Sequence, residues 1–223
     1  MLHKILSALF LTLACAITLE AQTGGAIVEI RAGHNTAYGG FGAFSLETRH
    51  DFRQVFSIGG GIQYNTIGKI AIELCPSFFH KMPWGRISVE IPLHYSKISA
   101  TDILSGGAGM ALTSRWIDCR GGYYFRTFGL KGSRIDEWFN IYYKFAVNCL
   151  PMIDRWDLQI YMTNCESFEL ERHYQPSFIA QGWYYPSDKM GISLGLCYKP
   201  AGMFHLSADY HQVYTKAGIC YRW

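Results

Sequence analysis

Apolar and polar residues alternate along short segments of the chain from Gly25 onward, with turn residues between the segments. The clearest segment is Arg86–Ser96, in which every second residue from Ile87 to Tyr95 is apolar. Successive side chains of a β-strand point to opposite faces, so this period of two predicts strands. Thirteen segments are strand-like: Ala26–His34, Phe44–Arg49, Val55–Tyr64, Ile70–Phe78, Arg86–Ser96, Ala108–Trp116, Gly121–Leu130, Phe139–Val147, Trp156–Met162, Ser177–Tyr185, Ile192–Tyr198, Phe204–His211 and Val213–Trp223. The pattern predicts an all-β protein.

The last segment determines which all-β architecture we expect. Ile219, Tyr221 and Trp223 fall on one face of this strand, and Lys216, Cys220 and Arg222 fall on the other. This ending resembles the closing strand of bacterial outer-membrane β-barrels, which typically finish on Phe or Trp with another aromatic residue two positions earlier. The resemblance implies a closed antiparallel transmembrane β-barrel. It also implies that Tyr221 and Trp223 lie at the membrane interface and that the barrel-assembly machinery reads this strand during insertion.

The number of strands is expected to be even, because single-chain bacterial barrels have both termini on the periplasmic side. Twelve strands are expected, with fourteen or ten as alternatives. Either 204–211 or the weakly patterned Gly121–Leu130 is then part of a loop, or Glu166–Glu171 supplies an extra strand. Pro76 and Pro92 lack the backbone N–H of a ladder hydrogen bond, so bulges or strand ends are expected there.

Alternation alone leaves open which face points inward. A soluble, lipocalin-like barrel buries its apolar face, whereas a membrane barrel turns that face to lipid. The polar faces carry charges in mid-strand, and the apolar stripes end in Trp or Tyr, as at Trp116 and Trp156. These features favour the transmembrane barrel, with outer-membrane lipid as its surroundings.

The N-terminus predicts export. Residues 1–21 combine a short basic start, an apolar run from Ile5 to Leu19 and a small residue, Ala21, which is the pattern of a cleaved signal peptide. A lipoprotein signal ending at Cys15 is the alternative. We therefore expect a signal peptide at 1–21, a barrel at 22–223 and a location in the outer membrane of a Gram-negative bacterium.

Composition and charge exclude several classes of function. The formal net charge is +3 with both signs interspersed, which gives no basic patch for nucleic acid. Six cysteines follow the predicted signal peptide, with no pair at the spacing of a zinc site. We expect no metal and no cofactor, and we read the cysteines as small fillers of strands rather than as a disulfide framework.

One motif suggests catalysis. His94 and Ser96 share a strand face, and a His-x-Ser pair is similar to the catalytic pair of outer-membrane phospholipases and lipid A deacylases. In those families an Asn or Glu on the following strand orients the histidine, but the following segment here contains no Asn, Asp or Glu. The alternation also places the pair in the lumen, whereas a lipid-cleaving site must face lipid. An enzyme acting on membrane lipids is therefore an alternative, and a soluble ligand-binding barrel is another.

The expected functional region is the lumen. The predicted inner faces carry positively charged, negatively charged and neutral polar residues. Those we expect to line the lumen are Glu29, Arg31, Glu73, Glu90, His94, Arg115, Lys144 and Asp157. Eight-stranded barrels fill their interior with side chains, while sixteen-stranded barrels leave an aqueous channel. A twelve-stranded barrel is intermediate, so the sequence predicts either a narrow pore or a structural or accessory component of the outer membrane.

Overall fold

A computed structural model describes residues 23–36, 39–52, 55–66, 68–98, 100–130, 133–149, 155–166, 169–170, 176–200 and 212–223. The predicted signal peptide, 1–21, lies outside the described residues, and its cleavage stays a prediction. Among the described residues there is no helix of the length and apolarity needed to cross a membrane.

The described residues form twelve long antiparallel strands. They are β1 (Thr23–Asn35), β2 (Gly39–Phe52), β3 (Phe56–Asn65), β4 (Lys69–Met82), β5 (two segments, Gly85–Glu90 and Leu93–Ile98), β6 (Thr101–Ser114), β7 (Ile117–Leu130), β8 (Ser133–Asn148), β9 (Trp156–Thr163), β10 (Ser177–Tyr184), β11 (Met190–Lys199) and β12 (Gln212–Arg222). Both segments of β5 pair with β4 on one side and with β6 on the other, so they form a single strand of the barrel.

The sheet is closed. Each strand pairs with its neighbours in sequence, and β1 pairs with β12 in a register that runs from Gly25 opposite Arg222 to Asn35 opposite Gln212. Backbone hydrogen bonds between Gly24 and Trp223 extend this seam by one residue pair, at 3.1 and 3.2 Å. The prediction of a closed antiparallel barrel with twelve strands is confirmed.

Twelve of the thirteen predicted segments correspond to strands of this barrel. The weakly patterned Gly121–Leu130 lies within β7, while 204–211 lies outside the described residues. The suggested extra strand is a small hairpin instead, in which Cys165–Glu166 pairs with Glu169–Leu170. Pro92 separates the two segments of β5, as expected of a residue without an N–H, whereas β4 continues through Pro76.

The two ends of the barrel differ in their connections. We call the end that holds Thr23 and Arg222 the terminal mouth and the opposite end the loop mouth. The longest connection at the terminal mouth is residues 149–155, whereas the connections 164–176 and 200–211 both leave from the loop mouth. Bacterial outer-membrane barrels have short periplasmic turns and longer extracellular loops, so this asymmetry matches their usual arrangement.

The outer surface of the barrel is apolar. Side chains that alternate with the lumen-facing ones expose large hydrophobic groups, for example Ile30, Phe44, Met110, Leu194 and Ile219. A water-soluble protein does not normally expose so continuous an apolar surface, because contact between apolar groups and water is unfavourable. The outward apolar face and polar interior are the arrangement that outer-membrane barrels have.

Candidate functional site

The barrel interior is polar, which inverts the pattern of a soluble protein. Buried residues with charged or polar side chains include Glu29, Arg31, Glu90, His94, Arg126, Lys199 and Lys216. A buried charge is costly unless other charged or hydrogen-bonding groups compensate it, so the interior is built from networks of such groups.

Two neighbouring cavities in the described part of the chain lie within the lumen. The central cavity has a volume of about 380 Å³ and reaches from Arg49 and Ser57 to His94 and Lys216. A second cavity of about 530 Å³ lies at the terminal mouth, between Thr23 and Arg222 on one side and Asp157 on the other. The residues that line both are Ile27, Glu47, Thr48, Arg49, Gln159 and Trp183. The central cavity therefore lies next to the cavity at the terminal mouth, with these six wall residues in common.

Strand β3 leaves space for the central cavity because it carries glycine where a lumen-facing side chain would otherwise stand. Gly59 lies in the cavity wall, and Gly61 is the cross-strand neighbour of both Glu47 and Glu73. Glycine has another role at Gly109 and Gly122, where the ring of Tyr142 packs against the backbone.

The carboxylates of the central cavity are grouped on one part of the wall. They are Glu29 on β1, Glu47 on β2, Glu73 on β4 and Glu90 on β5. Among the described residues, Glu29 pairs with Arg31 and Glu90 pairs with Arg120, with nitrogen–oxygen distances of 2.8 and 3.1 Å. We refer to the four carboxylates Glu29, Glu47, Glu73 and Glu90 as the acidic arc.

The cations of the central cavity lie mainly on the other strands. Arg120 belongs to β7, Lys144 to β8 and Lys216 to β12, whereas Arg49 lies on β2 beside the acidic arc. The ammonium group of Lys144 is 2.7 Å from a carboxylate oxygen of Asp118. We refer to Arg120, Lys144 and Lys216 as the basic arc. With Arg49 included, four cations and four carboxylates of the described residues line the cavity, so these formal charges balance.

A buried network joins the two arcs at the seam between β12 and β1. The Lys216 ammonium lies 3.7 Å from Glu29 Oε2 and donates a hydrogen bond of 2.5 Å to the Tyr161 hydroxyl. Tyr161 in turn donates to Gln181, and the amide of Gln181 donates to Ser193. This chain crosses β12, β9, β10 and β11, and it holds Lys216 in one orientation.

A second polar cluster lies near the terminal mouth. Asp51 accepts hydrogen bonds from Arg49 and Arg86, at 3.2 and 3.0 Å. Both guanidinium groups also donate to Ser57, whose hydroxyl is 2.7 Å from that of Ser77. Four neighbouring strands, β2 to β5, are thereby connected at the edge of the central cavity.

Apolar side chains occupy part of the interior toward the loop mouth. Ala146, Tyr161, Ile179, Cys197 and Tyr214 form a buried cluster on β8 to β12, and Phe41 packs against it. This cluster narrows the lumen on one side and leaves the central cavity next to the acidic arc.

No protein-family model matches the chain, and no curated protein matches its sequence. Solved structures of similar fold include the KdgM porin in complex with disordered oligogalacturonate, at 8% identity, a TM-score of 0.55 and coverage of 87% of this chain and 98% of that one. The NanC porin is similar at 9% identity and a TM-score of 0.56, and the match covers 87% of this chain and 98% of that one.

A third similar structure has a different role. It is the translocator domain of the autotransporter NalP from Neisseria meningitidis, at 11% identity and a TM-score of 0.54, with coverage of 99% of this chain and 96% of that one. The fold is that of the outer-membrane porin barrels. At such low identity the likeness extends to the fold alone, so the role of this porin-type barrel has to be argued from its lumen.

The structure places most of the predicted lumen residues inside the porin-type barrel. Glu29, Glu73, Glu90, His94 and Lys144 line the central cavity, and Asp157 lines the cavity at the terminal mouth. Arg31 is buried against Glu29 on the same strand.

Arg115 was wrongly predicted to line the lumen. It belongs to the two-residue turn between β6 and β7, where it is exposed and its guanidinium carbon lies 5.5 Å from the ring centroid of Trp116. Strand β6 ends at Ser114, and side chains no longer alternate between the two faces once the backbone turns.

The sequence interpretation missed Arg120 and did not select Lys216. Arg120 immediately precedes the predicted segment Gly121–Leu130, and extending the alternation backward from Tyr124 would have placed it inside the lumen. Lys216 lies on the face of the closing strand opposite Tyr221 and Trp223, so the signal for it was present. Both residues line the central cavity.

The position of His94 and Ser96 does not support a lipid-cleaving enzyme. Both side chains are buried on the lumen side of β5, away from the apolar outer surface. Across the sheet, His94 lies between Glu73 on β4 and Ser105 on β6. The soluble-barrel alternative fails because the apolar face points outward.

Proposed function

We propose that the protein is an outer-membrane channel that passes small polar solutes through a narrow lumen. Its place in the outer membrane is supported by the apolar outer surface and by the porin barrels that share its fold. The observation that carries the channel function is the charged central cavity, which shares six wall residues with the cavity at the terminal mouth. By analogy with outer-membrane barrels, the terminal mouth faces the periplasm.

The dimensions of the lumen restrict the solute to a small molecule. Twelve strands spaced at about 4.8 Å and tilted by about 40° enclose a backbone cylinder roughly 24 Å across. Inward-pointing side chains occupy much of that width. The central cavity of about 380 Å³ holds on the order of a dozen water molecules.

The lining differs from what a polyanion requires. The KdgM porin structure contains oligogalacturonate, a chain of sugar acids. Here the central cavity carries as many carboxylates as cations, so a polyanion would meet both repulsion and attraction on its way through. We therefore propose a solute of low net charge rather than an acidic oligosaccharide.

A second candidate is a barrel that is closed to solutes and serves as a structural component of the membrane. The buried side chains toward the loop mouth favour it, because Tyr214, Lys199 and Arg126 are at most 7% exposed. Conductance of the purified protein in planar lipid bilayers separates the two candidates. A closed barrel gives no current above that of the lipid.

Chemical modification of Cys75 should block the channel. Cys75 lines the central cavity on β4, directly across from Gly59. In a variant that retains Cys75 as its only cysteine, a methanethiosulfonate reagent with a sulfonate tail should lower single-channel conductance by more than about half, because the adduct fills a large part of a cavity that holds on the order of a dozen waters. The reaction is carried out in detergent before reconstitution.

The matched control for that experiment retains Cys119 alone. Cys119 alternates with Asp118 and Arg120 on β7, so it points to the outer surface. Its modification should leave conductance unchanged. A current that is insensitive to modification at Cys75 would mean that ions do not pass through this lumen.

We also propose that the closing strand is read during assembly in the membrane. Deleting Trp223 should lower the yield of folded barrel several-fold more than Arg222→Gln does. Trp223 exchanges two backbone hydrogen bonds with Gly24, and its loss exposes the edge at the seam. Arg222→Gln alters only a side chain, which hydrogen-bonds to the Tyr185 hydroxyl and lies over the Tyr185 ring, and it leaves the backbone hydrogen bonds of the strand in place. The measurement is heat-modifiability on gels at matched expression, and equal yields would contradict the proposal.

A further inference from the structure

The two arcs of charge lie on opposite sides of the central cavity. Numbering around the barrel, Glu47 on β2 lies six strands from Lys144 on β8, which is half of the circumference. Glu29 on β1 and Arg120 on β7 have the same relation. Since all four residues line one cavity of about 380 Å³, they face each other across a narrow space.

Ion pairs bridge the arcs where the arcs meet. Glu90 pairs with Arg120 at one junction, and Glu29 lies 3.7 Å from Lys216 at the other. Between these junctions, Glu73 has no cation within 4 Å among the described residues. The Glu73 carboxylate therefore has no direct ion-pair partner in the described part of the chain.

The glycines of β3 provide room for a ligand at that wall. Gly61 separates Glu47 from Glu73 in the sheet, and Gly59 forms part of the adjacent cavity wall. A cationic group therefore has access to the carboxylate of Glu73 without displacing a side chain. Opposite this wall, Arg120 and Lys144 present guanidinium and ammonium donors to the same cavity.

We propose that the central cavity is a binding site for a small zwitterion, with its ammonium group toward Glu73 and Glu47 and its carboxylate toward Arg120 and Lys144. Opposite charges on two walls create a field across the lumen, and such a field stabilises a molecule whose own charges are separated in the same direction. A net anion or a net cation is attracted by one wall and repelled by the other. The inference deepens the proposed function, because it names the solute class that the same lumen would carry.

The test compares four solutes of nearly equal size, namely alanine, lactate, alaninamide and lactamide. At neutral pH they are respectively a zwitterion, an anion, largely a cation and a neutral molecule. Binding to the purified barrel in detergent is measured by titration calorimetry. We expect alanine to bind about tenfold more tightly than each of the others, because only alanine forms a favourable ion pair at both walls.

Variants locate the site. Glu73→Gln should weaken alanine binding by about tenfold, because the variant loses the carboxylate that faces the ammonium group. The same variant should strengthen lactate binding, because it removes a carboxylate that repels the anion. Asp136→Asn is the matched control, since Asp136 is an exposed residue that pairs with Arg134 rather than lining the cavity. Heat-modifiability shows whether each variant folds, and the four-solute comparison on the unaltered protein does not depend on any substitution.

The outcomes separate this inference from the channel function. Lactate, alaninamide or lactamide binding as tightly as alanine overturns the zwitterion site, and so does an alanine affinity that is unchanged in folded Glu73→Gln. If the protein conducts ions in bilayers but the calorimetric titrations show no preference for alanine, the channel function stands and the zwitterion site is overturned. Alanine binding without any conductance supports the site and overturns the channel.

Discussion

Replacing Gly122 by alanine should destabilise the barrel by about 3 kcal/mol, because the added methyl group has no space. Its Cβ would lie 2.5 Å from the Cα of Gly109 and 2.7 Å from Cε1 of Tyr142, and it would also collide with the carbonyl oxygen of Ala108. Two of these neighbours are backbone atoms of the adjacent strand, so relief requires the strands to move apart. Urea unfolding of the barrel in lipid vesicles measures the effect.

The control is the neighbouring residue. The nearest atom to a Cβ at Gly121 is the carbonyl oxygen of Tyr142 at 3.7 Å, which is an ordinary contact. Gly121→Ala should therefore leave stability unchanged or raise it by up to about 1 kcal/mol, because alanine has less backbone entropy to lose on folding. Equal stabilities of the two variants would show that β6 and β7 do not approach each other as described.

Glu29→Gln should cost about 3 kcal/mol of folding stability, because it removes the carboxylate that two buried cations share. Arg31 and Lys216 lie 2.8 and 3.7 Å from its two oxygens, and both are less than 9% exposed. A neutral amide cannot balance their charge in an interior shielded from water. The expected result is a lower urea midpoint with an unchanged slope.

The control for that substitution is an ion pair of similar length at the surface. Arg134 and Asp136 are 2.9 Å apart, but their side chains are 71% and 36% exposed. Water already solvates both charges, so Asp136→Asn should change stability little. Adding Lys216→Met to Glu29→Gln should recover part of the loss, since it removes one of the two cations. A Glu29→Gln barrel as stable as the Asp136→Asn barrel would contradict the buried network.

Local sequence was sufficient for the strands and their faces. The alternation at Arg86–Ser96 corresponds to both segments of β5, and the parity of the closing strand correctly separated Lys216 from Tyr221 and Trp223. This succeeds because side-chain direction along a strand depends only on the backbone period. Prediction failed at Arg115, where the backbone leaves the strand. It also failed at Arg120, because the predicted segment Gly121–Leu130 began one residue after it.

The arrangement of the lumen required the tertiary structure. No local pattern predicts that Glu47 and Lys144 face each other, because the two residues are distant in sequence. They lie on opposite walls of the lumen only once the twelve strands form a closed barrel. The contact of Tyr142 with Gly109 and Gly122, and the chain from Lys216 to Ser193, likewise join different strands. The sequence by itself determined an all-β chain with an apolar outer face and a charged inner face. Closure decided which charges meet, because cross-barrel distances depend on strand number and register rather than on neighbouring residues.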